Sequence, residues 1–328
     1  MSLANMQVYD EEIYTTTMEL LGQKLEAFNQ ASGGAVVLNT TAHRGNYTKN
    51  SFFQSIAGAH RRVDRNAAIG AQASTALSQG EFVGVKVAGG FGPIVFEPSQ
   101  LTYLSENPDQ AIMAISEGFA DALLADQLNT IVGCGVAAVE NIPALVNDVS
   151  AAAAGGLSQQ ALNKGHYKFG DMSSMLVCDI MHSSGSESLV DKALGNGEQL
   201  FVSSNVTVIS ILGKIIVVSD IPALYVPAVA PATINKTKVL SITVGGLVVS
   251  NSADIVANLS TTNGKTRIET TWQADYTFTA SLKGYAWDIT NGGASPLDAT
   301  LFTGTNWDIA VTSTKHSLGT LTVANADL

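Results

Sequence analysis

The stretch NPDQAIMAISEGFADALLADQLNTIVGCGVAAVE, residues 107–140, decides the architecture. Asn107 is an N-cap candidate, Pro108 stands at the first helical position, and Asp109 is an acid in the first turn. Ile112, Ile115, Phe119 and Leu123 then recur at steps of three and four, the spacing that lines one helix face. Continued through Leu128, Ile131 and Val132 towards Glu140, roughly 30 residues at ~1.5 Å each predict a rod about 45 Å long. Gly133 and Gly135 mark where its end is expected to fray or bend.

Downstream, Pro143 and the run 151–156 mark a boundary, and 157–164 reads as a short helix. Residues 175–180 read as a buried strand, 187–194 as a helix, and 214–220 as a second strand ending before Pro222. Together they make an α/β-type unit with its own core. From Lys238 onward strands dominate. Tyr276, Phe278, Ala280 and Leu282 alternate with Thr277, Thr279 and Ser281, the period of a long strand with one buried face. Residues 292–328 are turn-rich and Thr-rich without a strong period.

Upstream, residues 43–96 read as an extended, Gly-punctuated arm. Four of the chain's five arginines fall between 43 and 65, and Arg44, Lys49, Arg61, Arg62 and Arg65 there face a single acid, Asp64. Such a cluster suits a solvated face, ion pairs between subunits, or phosphate contacts, since arginine binds carboxylate and phosphate alike. A strand is expected over 82–87 and a bend over 89–93. Residues 6–28 read as an amphipathic helix with Ile13, Tyr14, Leu21, Leu25 and Phe28 on or beside its apolar face. Its acidic polar face makes it weak in isolation, so it needs a surface to dock on, which another subunit can supply.

The chain has 328 residues, 46% hydrophobic and 14% charged, enough for one large core or two to three smaller ones. Its 17 Lys+Arg against 28 Asp+Glu give a formal charge of −11, the wrong sign for a surface that holds nucleic acid over its whole extent. Asp10, Glu11 and Glu12 stand where a signal peptide needs basic and apolar residues, and no apolar stretch of ~20 residues is expected, so the chain reads as soluble and unexported. Cys134 and Cys178 lack ligand spacing and read as small apolar core residues.

No constellation for catalysis, cofactor or metal emerges. Gly264-Lys265-Thr266 lacks the first glycine of a phosphate loop, because Leu259 stands in its place. Gly89-Gly90-Phe91-Gly92 is followed by Pro93 and not by a helix start. Asp179, His182, Ser183 and Ser184 include the residue types of a nucleophilic triad without its Gly-x-Ser-x-Gly elbow, so a hydrolase using His182 is the weakest reading. The five histidines have no metal-ligand spacing. A chemically bare chain with an arm, a rod and a long strand reads as a building block.

Several segments resemble the major capsid proteins of tailed double-stranded-DNA bacteriophages, the Hong Kong 97-like coat fold. They are Met6-Gln7-Val8-Tyr9, Ser32-Gly33-Gly34-Ala35, Arg61-Arg62, Val85-Lys86-Val87-Ala88, Phe169-Gly170-Asp171 and Met181-His182-Ser183. The likeness continues through Lys283 to Asp288, Ser295-Pro296-Leu297-Asp298-Ala299, Thr305-Asn306-Trp307-Asp308 and Lys315 to Gly319. Their order and spacing over essentially the whole chain carry it.

The resemblance implies an α+β fold with an N-terminal arm over 1–42, an extended loop over 43–96, a peripheral domain over 97–145 and 265–290, an axial domain over 146–264 and a C-terminal segment over 291–328. It implies pentamers and hexamers closing an icosahedral shell around packaged double-stranded DNA, touched only locally, in a virion assembled in the bacterial cytoplasm. Scaffolding, portal and decoration proteins are the implied partners; no membrane, cofactor, metal or enzymatic activity is implied. Inter-subunit contacts are expected at Ile13, Tyr14, Leu21, Leu25, Phe28, Arg61, Arg62, Arg65 and Lys86, with the arginines on carboxylates of a neighbour. Some relatives join subunits by a Lys–Asn bond, for which Lys86 has no evident partner. An encapsulin-like compartment shares the fold and is the alternative; a tail-associated β protein leaves the long helix and basic arm unexplained.

Overall fold

The computed structural model describes residues 16–17, 29–39, 44–54, 59–96, 108–152, 155–196, 208–211, 213–229, 234–252, 254–263 and 268–327. In chain order its elements are β1 (Val36–Asn39), β2 (Tyr47–Phe53), β3 (Gln79–Phe96), α1 (Pro108–Glu140), β4 (Val146–Asp148), α2 (Gln159–Tyr167), β5 (Leu176–Met181) and α3 (Ser183–Asn196). There follow β6 (Val208–Ile211), β7 (Lys214–Val218), β8 (Tyr225–Val226), β9 (Lys236–Thr243), β10 (Leu247–Asn251), β11 (Val256–Thr262), β12 (Glu269–Leu282), β13 (Tyr285–Trp287), β14 (Trp307–Ile309) and β15 (Gly319–Asn325).

The rod is present: α1 runs unbroken for 33 residues, about 50 Å at ~1.5 Å per residue. Its glycines do not fray it. A Cβ on Gly135 would lie 3.0 Å from Leu247 and 3.3 Å from Leu240 and Leu318, and one on Gly133 would run into the Phe302 ring. Both glycines serve close packing, and residues 130–139 are buried on every side of the helix. The segment Ser116–Glu140 is long and apolar enough by composition to cross a membrane, contrary to the expectation of no such stretch. The physical reason is that α1 is a central core helix, with 67% of its most apolar window buried against the chain's own sheets.

One sheet has the order β1-β10-β12-β3-β2, with β11 also on β12. Its face towards α1 carries Trp272, Ala274, Tyr276, Phe278, Ala280 and Leu282, all buried, as the alternation requires. Phe119 of α1 meets Trp272 and Tyr276 edge-on, with centroids 5.6 and 6.3 Å apart, and tilts against Phe91 at 5.2 Å. Strand β3 does not bend away at 89–93 but stays paired with β12 to Phe96. The ladder accommodates Gly92 and Pro93 in a register shift opposite Gln273, where Gly92 has φ +101° and Pro93 has no N–H to donate.

The second sheet has the order β4-β15-β9-β5-β7-β6, with β8 on β9. Strand β15, inside the stretch read as having no strong period, lies between β4 and β9 with every residue buried. Leu321 and Val323 join the core around α1, while Thr320 and Thr322 are buried as well, so polarity disguised an interior strand. Helix α2 begins on the Ser158 side chain, which accepts from the Ala161 N–H at 3.2 Å. Helix α3 begins four residues before its expected start, because the Ser183 N–H donates to Asp220 and the Ser184 N–H to His182.

Sheet membership divides the chain near 244–246. Strands β10 and β11, within 146–264, pair with β12, and β15, within 291–328, pairs with β9. Long-range strand pairing fixes this division, and a linear pattern does not display it.

Candidate assembly surfaces

Strand β2 and the first part of β3 form a two-stranded ribbon, from Tyr47 opposite Val85 to Phe53 opposite Gln79. Phe52 stacks on Phe82 at 4.2 Å. At the ribbon's end the Gln54 N–H donates to the Ser78 carbonyl at 2.9 Å, and the Ser78 hydroxyl donates to the Gln54 side chain at 2.7 Å. Beyond it, residues 59–78 contain no strand and every residue is exposed. Phe53 at 70%, Val63 at 65%, Ile69 at full exposure and Leu77 at 60% present apolar side chains to solvent along this arm. Covering such a side chain contributes about 1.5–3 kcal/mol each, a gain the isolated subunit forgoes.

Arg61, Arg62 and Arg65 are exposed on the same arm, and among the described residues none of them forms an ion pair. Several lysines elsewhere are matched: Lys49 to Glu81 at 3.5 Å, Lys238 to Glu140 at 2.7 Å and Lys315 to Asp171 at 2.6 Å. Lys86 lies on β3 and bonds Asp254 at 2.9 Å, with Thr277 also donating to that carboxylate. Burial works to raise the Asp254 carboxyl, but the Thr277 and Lys86 bonds outweigh it and hold it below the usual range. The Lys86 ammonium is thus engaged inside its own subunit. Ile13, Tyr14, Leu21, Leu25 and Phe28 lie outside the described residues.

The His182 cluster is a helix start and not a triad. Its Nδ1 accepts from the Ser184 N–H at 3.2 Å and contacts the Ser184 hydroxyl at 3.0 Å, so the lone pair a base needs is occupied by a cap. Its Nε2 lies 3.5 Å from the exposed Asp220, and Tyr225 stacks on its ring at 5.0 Å. Cys134 and Cys178 are free and buried, as read; burial pushes the Cys178 thiol up to about 12 and Cys134 further. Among the described residues no cluster of three or more His, Cys, Asp or Glu side chains has a metal-holding arrangement.

A feature that sequence reasoning missed is a cavity of about 360 Å³ where α1, β3, β12 and residues 296–299 meet. Asp126 and Asp298 line it, with Tyr276 and Thr130 between the walls and no basic side chain. The Tyr276 hydroxyl donates to Asp126 at 2.7 Å. Burial raises the Asp126 carboxyl, the Tyr276 bond opposes the rise, and the Asp298 charge adds to it. No local pattern signals a site made by residues 126, 276 and 298, which only the tertiary fold brings together.

An exposed arm, a long buried helix and two sheets astride it define a shell-forming coat subunit of the Hong Kong 97-like fold. The chain belongs to the major capsid protein 13-like family, whose model matches residues 5–321. No curated protein matches it. Among solved structures, the cyanophage Pam1 capsid is similar with a TM-score of 0.55 at 10% identity, over 87% of this chain and 86% of that one. An encapsulin complex from Synechococcus elongatus gives a TM-score of 0.49 at 13% identity, over 88% of this chain and 85% of that one. The capsid of Helicobacter pylori bacteriophage KHP30 gives 0.46 at 9% identity, over 89% and 88%. The protein is a structural capsid protein of a phage virion and forms a homo-oligomeric shell.

Proposed function

We propose that the subunit closes as pentamers and hexamers into an icosahedral shell around packaged double-stranded DNA, assembled in the bacterial cytoplasm with scaffolding and portal proteins. In this reading the β3–β12 sheet with α1 is the peripheral domain, and the β9–β15 sheet with α2 and α3 is the axial domain. The arm over 59–78 reaches onto a neighbouring copy. The observation that carries the reading is the arm itself: twenty residues without α-helix or strand, all exposed, with apolar side chains and three arginines that form no ion pair among the described residues.

A loop of this length and exposure is costly to keep unless assembly orders and covers it. The net charge of −11 suits an inner surface that repels packed DNA, so the arginines meet carboxylates of neighbours. Each contact need supply only a few kcal/mol, because closure multiplies weak contacts. Light scattering and negative-stain imaging of the expressed full chain test this. Closed particles with five- and six-fold capsomers are expected; a monomer that stays monomeric with co-expressed scaffold contradicts it, and shells holding a cargo protein instead of DNA favour the compartment alternative.

A further inference from the structure

We propose that the cavity between α1, β3, β12 and residues 296–299 is a receptor for arginine side chains on the 59–78 arm of a neighbouring copy. The proposal rests on the reading that the arm contacts a neighbour, and adds where it lands. The cavity is acidic and lacks a cation: Asp298 has no hydrogen bond or ion pair for its carboxylate among the described residues, and Asp126 is held only by a phenol. Thr130 is 3% exposed and lines the same space, its hydroxyl bonding to nothing among the described residues. Asp126 carries the mutual repulsion of Asp298. A guanidinium between the two carboxylates removes that repulsion, and its fork of N–H groups satisfies both carboxylates and the hydroxyl, which a point-like ammonium does less well.

The surroundings match too. Leu297, 80% exposed, stands on the rim as an apolar counterpart to Val63 and Ile69 beside the arginines. The chain's own arm is not the occupant. It leaves β3 at Gln79, whereas the cavity is lined by residues 87–90, about 26–36 Å further along the strand at ~3.3 Å per residue. Among the described residues Arg61, Arg62 and Arg65 form no ion pair and are exposed, so in this proposal a second copy of the chain supplies the meeting.

The test uses the full chain under conditions in which the wild type forms shells. Asp298→Arg, at an exposed position, is expected to leave the melting temperature at or above the wild-type value and cut shell yield at least tenfold. Arg61→Glu, Arg62→Glu and Arg65→Glu together do the same, and combining them with Asp298→Arg restores a substantial part of the yield. Wild-type yield from Asp298→Arg overturns the cavity proposal, as does failure of the combination to restore shells. Wild-type yield from the triple variant instead overturns the arm reading beneath it. As a readout independent of yield, Arg62→Cys with Leu297→Cys is expected to give disulfide-linked multimers on oxidation, absent from each single variant. Monomer alone from the pair overturns the proposal.

Discussion

Helix α1 and the 59–78 arm solve opposite problems with one chain. The helix places Phe119, Leu123, Ile131 and Val136 inside its own subunit, each 3% exposed or less. The arm places Val63, Ile69 and Leu77 outside, each 60% exposed or more. The difference teaches where each region's free energy is realised: α1 stabilises the monomer, and in the proposed assembly the arm contributes when another copy covers it. Substitutions in the helix should therefore lower melting temperature first, and substitutions in the arm should lower assembly alone.

The largest stability effect is expected from Phe119→Ala, which empties the centre of the aromatic cluster and should cost about 3–5 kcal/mol in a denaturant titration. A loss below about 1 kcal/mol would break the comparison at its core end. Gly135→Ala gains helix propensity but pushes a methyl between three buried leucines, and should cost about 1–3 kcal/mol, which calorimetry of the purified subunit can read.

Lys86→Met should cost less than about 1 kcal/mol at neutral pH, since Asp254 is part-exposed. The sign with pH follows from the depressed Asp254 carboxyl: its contribution is present above its unfolded value of about 3.9 and is lost as pH falls through the lower folded value. The wild-type advantage over Lys86→Met should shrink in acid. Asp126 has the opposite sign. Its raised carboxyl lowers stability as pH climbs from its unfolded to its folded value, so Asp126→Asn should remove that loss in a thermal scan across acid pH. The smallest stability effect, within about 0.5 kcal/mol, belongs to Val63→Ser with Ile69→Ser, whose shell yield should nevertheless fall.

What was legible in the sequence followed from local physics. Pro108 and the three-and-four spacing announced α1, and Tyr276 to Leu282 announced β12, because a proline start, helical period and strand alternation are written within a few residues, whereas the expected cap at Asn107 lies outside the described residues. What was not legible depended on partners far away. The early start of α3 needs Asp220, the interior place of β15 needs β4 and β9, and the straight run of β3 needs the shift opposite Gln273. Gly133 and Gly135 looked like breakers because their leucine and phenylalanine neighbours come from residues 240, 247, 302 and 318. The arm's arginines stood out as a charge cluster, whereas the cavity joins carboxylates 172 positions apart in sequence, at 126 and 298.

The central claim, that the arm serves the neighbour and not its own subunit, is most directly tested by replacing residues 54–78 with Asn-Gly. Phe53 and Gln79 already face each other, so this dipeptide closes a two-residue hairpin. Thermal unfolding and particle mass of this variant would be measured beside the full chain. An unchanged melting temperature with complete loss of shells is the predicted result; shells of normal mass, or a subunit that no longer folds, would contradict the account.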